Sequence, residues 1–212
     1  MANLMDITGF ILKGSIITLE LFIIVAVCSV PLGILVALGK NSKIKPLKAV
    51  LSLYTWAFRG TPLLLQLFFT YFGLPVVGIR LTPLTAASIA FTVNYAAYLA
   101  ETFRAGIESV DRGQFEAAKA LGMNYRQTMI RIILPQAARN VIPPVCNEAI
   151  NLIKDTALVA AIGIGDLLRA AKEVVTRDFT ITPFIIAAAV YLLITSLLVL
   201  MFRKLEKKYS FY

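Results

Sequence analysis

The strongest constraint in this sequence is a stretch with no charge for the full depth of a bilayer. Residues 184–202 contain no Asp, Glu, Lys or Arg. A helix needs about 20 mostly apolar residues to cross the roughly 30 Å hydrocarbon core. Pro183 stands just ahead of it, where a first helical turn tolerates proline. A second run, residues 16–38, is interrupted only by Glu20, Ser29, Pro31 and a few small residues. Residues 50–77 make a third, broken by Arg59-Gly60-Thr61-Pro62, and residues 84–100 a fourth. Residues 141–153 look short, but they extend through Lys154-Asp155-Thr156 into 157–164. The chain is 58% hydrophobic, against about 45–50% in soluble domains. The expected fold is an all-α integral membrane protein, residues 1–212 forming one transmembrane domain with five spanning helices.

The net charge of +9 does not point to nucleic acid, because the basic residues cluster between apolar runs. Lys40, Lys43, Lys45 and Lys48 separate the first two spans; Arg104, Arg112, Lys119, Arg126, Arg131 and Arg139 separate the third and fourth; Arg203, Lys204, Lys207 and Lys208 follow the fifth. Only Lys13, Arg80, Arg169, Lys172 and Arg177 fall on the other side. Basic loops stay cytoplasmic, so the N-terminus is expected outside and the C-terminus inside. An odd number of spans satisfies this. Met1–Asp6 lacks the basic opening of a signal peptide, and the apolar run after it exceeds a signal core of about 7–15 residues, so it reads as a retained span. Cys28 and Cys146 sit inside apolar runs as small hydrophobes, and without histidine no zinc site of the Cys/His type forms.

The longest polar stretch, residues 107–140, falls on the cytoplasmic side. Its residues 114–121 are good helix formers, Asp111 and Gln114 have capping spacing, and Gly122 is a natural stop. A short helix is therefore expected to protrude, with Gln114 and Glu116 at its start and Ala117, Ala118 and Ala120 offering small surfaces to a partner's groove. Glu116-Ala117-Ala118, then Gly122, then Ile132 and Leu134-Pro135 resemble the cytoplasmic EAA motif of ABC importer permeases. Gly14-Ser-Ile-Ile-Thr18-Leu19, Arg59-Gly60-Thr61-Pro62 through Gln66, Ala100-Glu101 through Arg104, Gly106 and Ile107, and Lys154-Asp155-Thr156-Ala157-Leu158 resemble the polar amino-acid branch of that family. Ala157 stands where the family more often has Ser, and Asp166 where Glu is more usual.

The resemblance implies a type I ABC importer permease fold in the bacterial cytoplasmic (inner) membrane, crossing it several times. It implies that the loop helix docks on a pair of ATP-binding subunits, that a second permease subunit completes the path, and that an external amino-acid-binding protein delivers the solute. A homodimer is the preferred pairing. The chain itself is expected to be non-catalytic. The nearest approach to a phosphate-binding loop, Gly33…Gly39-Lys40-Asn41, has the wrong spacing and ending and lies in a span. ATP and Mg are then used by the partner. An ATPase-independent channel or signalling protein would keep the spans but leave the loop motif unexplained.

Charges inside a span are costly and mark function. In the span of residues 141–164, Glu148, Asn151 and Asp155 lie within about 60° of one another, on one face, at 100° per residue. Measured from Arg139 at 1.5 Å per residue, Glu148 stands about 14 Å deep and Asp155 about 24 Å deep; the first is near the midplane, where transporter sites lie, and the second near the outer surface. These residues are expected to favour a basic amino acid such as arginine, lysine or histidine, since a carboxylate binds guanidinium in a bidentate pair. The alternative is that the acids pair with Lys154 or Arg59, leaving glutamine or another neutral polar amino acid as the solute. Asn94 and Gln66 are candidates for the solute's amino-acid end, or else interhelical glue. Arg59, Thr61 and Pro62 form a candidate gate hinge, with a static kink as the alternative. Glu101 and Arg104 read as an intrahelical pair without a transport role, and Glu20 as a headgroup-level residue.

Overall fold

The computed structural model describes residues 4–209, with side chains up to Lys207. Met1-Ala-Asn3 and Ser210-Phe-Tyr212 lie outside the described residues, as does the Lys208 side chain. Helix α1, Leu4–Lys40, starts a dozen residues earlier than the apolar run because nothing before Ile16 breaks it. At 37 residues it is about 55 Å long. Its first turns carry Ile7 and Ile11 against Leu167, Ala171, Val174 and Ala187.

The third apolar run turns sharply. Helix α2, Lys45–Gly60, and the helical stretch Leu63–Val77, which opens with helix α3, Leu63–Phe68, meet at 107° across Thr61 and Pro62, both extended. That is a corner rather than a proline kink. After α3 a π-turn (Phe69–Gly73) and a 3-10 turn (Leu74–Val77) lead to helix α4, Pro83–Glu108, capped by Thr82. Helix α5, Arg112–Ala120, and helix α6, Tyr125–Thr128, follow, then a π-turn and helix α7, Leu134–Asp155. A 3-10 segment, Thr156–Ile162, leads to helix α8, Leu167–Asp178, and then to helix α9, Thr182–Tyr209.

Among the described residues, α1 and α9 alone are single helices long and apolar enough to span a bilayer, and the bent α2–α3 pair adds a third. The expectation of five therefore rests for α4 and α7 on length, 26 and 22 residues, and not on hydropathy. Helix α4 is an interior helix, whereas α7 buries only Ala137, Val141, Cys146, Leu152 and Ile153. Ala86, Ala87, Ala90, Phe91, Asn94, Tyr95, Ala96, Ala97, Leu99 and Ala100 of α4 are buried. Gly33 of α1 lies so close to Leu99 and the Ala96 carbonyl that a Cβ there would clash, the small-residue contact that membrane helices use. The main core joins Leu21 and Val25 of α1 to Leu67, Phe91, Tyr95, Leu152 and Val159.

Candidate functional site

The corner at Thr61-Pro62 is held by amides. Ending α2 at Gly60 leaves carbonyls without helical partners, and Gln66 Nε2 donates to the oxygens of Phe58 at 2.9 Å and Thr61 at 3.1 Å, and to Thr61 Oγ1 at 2.8 Å. Asn94 Nδ2 donates to the same Phe58 oxygen at 2.9 Å and to Gln66 Oε1 at 3.0 Å. The structure thus brings Gln66 and Asn94 together, with their amide donors turned onto the corner. Arg59 is exposed beside it, its guanidinium 5.4 Å from the centre of the Tyr98 ring, a cation–π distance. Tyr98 in turn donates to the Arg59 carbonyl at 3.3 Å.

The face of α7 comes to the same corner. Tyr95 donates to Asp155 Oδ2 at 2.7 Å, a partner that sequence spacing did not reveal. Glu148, half-buried, makes no hydrogen bond among the described residues and interacts electrostatically with Arg59 and Asp155. Asn151 and Lys154 are exposed, and Lys154 forms no ion pair with either acid. One carboxylate is therefore occupied by a phenol, while the other faces Arg59 without a bond.

The protruding helix forms as expected from its composition, starting two residues earlier, at Arg112. Asp111 caps it by accepting from Gly113 N at 2.8 Å, and Gly122 ends it with φ +73°, a left-handed conformation that favours glycine. Gln114 accepts from Gln136 at 3.2 Å. Glu116, Ala117 and Ala120 are exposed, and Leu121 is 80% exposed. Ala118 departs from the expectation: it is buried. It lies one turn after Phe115, whose face packs on Val110, Ile133 and Ala137, so the helical period turns it inward. A full capping box, Asn124 with Gln127, rigidifies the turn after Gly122.

Two clusters go beyond what sequence reasoning reached, the first built on the expected intrahelical pair of Glu101 with Arg104. At one end of the bundle Lys40, Thr55, Glu101 and Arg104 join α1, α2 and α4. At the other, Gly14 of α1 touches the backbone of Asp166 and Leu167. Asp166, fully buried, caps α8 by accepting from Leu168 N and Arg169 N, each at 3.1 Å. Helix α8 borders a cavity of about 760 Å³ lined by Leu64, Leu158, Arg169, Lys172 and Glu173. Past its basic groups, the Arg177 guanidinium bonded to Asp178 holds that carboxyl below its ordinary range.

A family described as "Binding-protein-dependent transport system inner membrane component" matches residues 29–211. The arginine transport system permease protein ArtQ of Bacillus subtilis (strain 168) is 41% identical over 201 residues, 94% of this chain and 92% of that one. The L-cystine transport system permease protein TcyB of the same organism is 42% identical over 205 residues, 95% and 88% of the two chains. A solved structure titled as an amino acid ABC transporter with histidines superposes with a TM-score of 0.91 at 38% identity, covering 98% of this chain and 99% of the other.

Proposed function

The chain belongs to the binding-protein-dependent transport system inner membrane components, and on that premise we propose that its α7 face carries a basic amino acid through the inner membrane. It is the permease subunit of an amino-acid ABC importer. The observation that carries the choice of solute is Glu148. It is half-buried beside Asn151 and Asp155 and carries no hydrogen bond among the described residues, so its oxygens are open to a cationic donor. Unsatisfied buried carboxylates are costly, and a solute guanidinium, ammonium or imidazolium repairs the deficit with geometry as well as charge. Asp155, already bonded to Tyr95, shapes the face electrostatically. Gln66 and Asn94 hold the corner and, with Arg59, Thr61 and Pro62, form the element that opens the path.

In this reading all five expected helices cross the membrane with the N-terminus outside, and two copies of the chain enclose the path. Residues 107–140 meet an ATP-binding subunit through Gln114, Glu116, Ala117, Ala118 and Gly122, with Ala118 setting the helix from within. That partner uses ATP and Mg, and its closure reorients the spans by alternating access. An external amino-acid-binding protein supplies the solute.

Solute-stimulated ATP hydrolysis by the purified complex tests this, with arginine, lysine, histidine, glutamine and glutamate compared. The basic amino acids should stimulate most. Glu148→Gln should remove that preference by about tenfold, a loss of about 1.4 kcal/mol in discrimination. Equal stimulation by glutamine, unchanged in the variant, supports the second reading. Arg59 favours that reading, because its positive charge opposes that of Glu148 and weakens the preference of the site for a cation.

A further inference from the structure

The Ala100–Ile107 motif has no place in the solute path, yet Glu101 within it bonds to three helices. Its Oε1 accepts from Lys40 Nζ of α1 and, at 3.1 Å, from Thr55 Oγ1 of α2. Its Oε2 accepts from Arg104 Nε at 2.9 Å. The Lys40 and Glu101 side chains are 9% and 15% exposed, and Lys40 also donates to Thr55 at 2.7 Å. Only a carboxylate can accept on both oxygens from two cations and a hydroxyl. Such a buried network adds little net stability over an apolar replacement, so its presence calls for another reason.

That reason lies in what the cluster joins. Arg104 also holds both oxygens of Glu108 at 2.6 Å, in the last turn of α4. Ser109 follows directly and accepts from Asn140 of α7 at 2.8 Å, while Gly106 leaves no room for a side chain against Val141. Both ends of the segment carrying α5 are thus fixed to the same turn of α4. On the other side, Thr55 is one turn before Phe58, whose carbonyl takes Gln66 and Asn94 at the corner. Asn94 and Glu101 stand two turns apart on α4, a spacing that repeats one face.

We propose that Glu101 is a positioning residue for transport, the joint that makes α1, α2 and α4 move as one when the α5 segment is displaced, and so delivers that displacement to the Thr61-Pro62 corner. Glu101 touches no solute and does not bear on ATP hydrolysis itself. The proposal rests on the reading that an ATP-binding subunit docks on α5.

The test uses the complex with its ATP-binding subunit and solute-binding protein in proteoliposomes. ATP hydrolysis and uptake are measured together, with the solute from the panel above that stimulates hydrolysis most. For Glu101→Gln, and for the apolar pair Lys40→Met with Glu101→Leu, hydrolysis should stay within about twofold of the parent. Solute moved per ATP should fall about tenfold, within the range of coupling between sites. The apolar pair removes both charges and decides the matter if Glu101→Gln alone fails to fold. Unchanged uptake per ATP in the paired variant overturns the proposal and reduces the cluster to a structural tie. Failure of the ATP-binding subunit to co-purify with the parent chain overturns the docking reading itself, before any variant is compared.

Discussion

The two ends of the bundle are joined by opposite means. Around Lys40 and Glu101, charged side chains span the gaps between α1, α2 and α4. Around Gly14 and Asp166, the helices approach until backbone meets backbone: a Cβ on Gly14 would lie 2.7 Å from the Asp166 oxygen and 2.9 Å from its carbonyl carbon. Side chains that bridge a gap permit adjustment without loss of contact, because long lysine and arginine stems rotate. Backbone contact permits almost none, since interiors are close-packed and repack in discrete steps. The ionic end should therefore travel as one unit, its side chains absorbing small shifts without loss of contact, while the packed end holds still, which fits a bundle driven from its docking segment and pivoting at its far end.

The largest effect should come from breaking the ionic end on one side only. Lys40→Met alone leaves Glu101 facing Arg104 and Thr55 with its main cation gone, and removal of one partner from a buried pair costs about 3 kcal/mol. Adding Glu101→Leu should recover most of that loss. Thermal unfolding of the three proteins in one detergent checks both statements. If the double variant is less stable than Lys40→Met, the charges stabilise the end outright and the contrast with the packed end fails.

Gly14→Ala probes the packed end. Three backbone atoms of Asp166 and Leu167 stand within 3.0 Å of the new methyl, and none is a flexible side-chain tip. Overpacking of this kind costs about 2 kcal/mol, and it should shift α8 together with its Asp166 cap. Protection of α8 amides in hydrogen exchange should drop while that of α2 stays constant. Loss of protection at α2 instead would mean that the ends are not mechanically separate.

The sequence made some of this legible. The apolar runs of α1 and α9, the break at Arg59-Gly60-Thr61-Pro62, and the Asp111-to-Gly122 helix carry local signals: hydropathy, proline, a cap and a stop. The shared face of Glu148, Asn151 and Asp155 followed from helical period alone. Helix α8 was missed because its 12 residues, with Arg169, Lys172, Glu173, Arg177 and Asp178, read as a polar connection. The Lys40–Glu101 and Tyr95–Asp155 contacts join residues 61 and 60 positions apart, and no local period encodes such pairs. Ala118 turned inward because it shares a helical face with Phe115, which packs on Val110 and Ile133, and not for anything in its own motif. The corner of 107° exceeds what Pro62 dictates, because it is fixed by Gln66 and Asn94, one of them on another helix.

The smallest effect should come from Thr18→Val. Thr18 Oγ1 accepts from Leu167 N and donates to the Gly14 carbonyl, each at 3.4 Å, and both bonds are long. The valine keeps the shape and leaves the Leu167 N–H in the first turn of α8, where Asp166 already serves the two donors that follow. The cost should be about 1 kcal/mol or less, below that of Gly14→Ala by thermal unfolding. Should Thr18→Val cost more, the far end would be held by its polar groups and not by backbone contact. Tyr191, whose hydroxyl lies beside Asp166, Thr18 and Thr156, would then be the side chain that sets the pivot. In that case both ends of the bundle would adjust through side chains, and the difference in stiffness between them would have to come from charge alone.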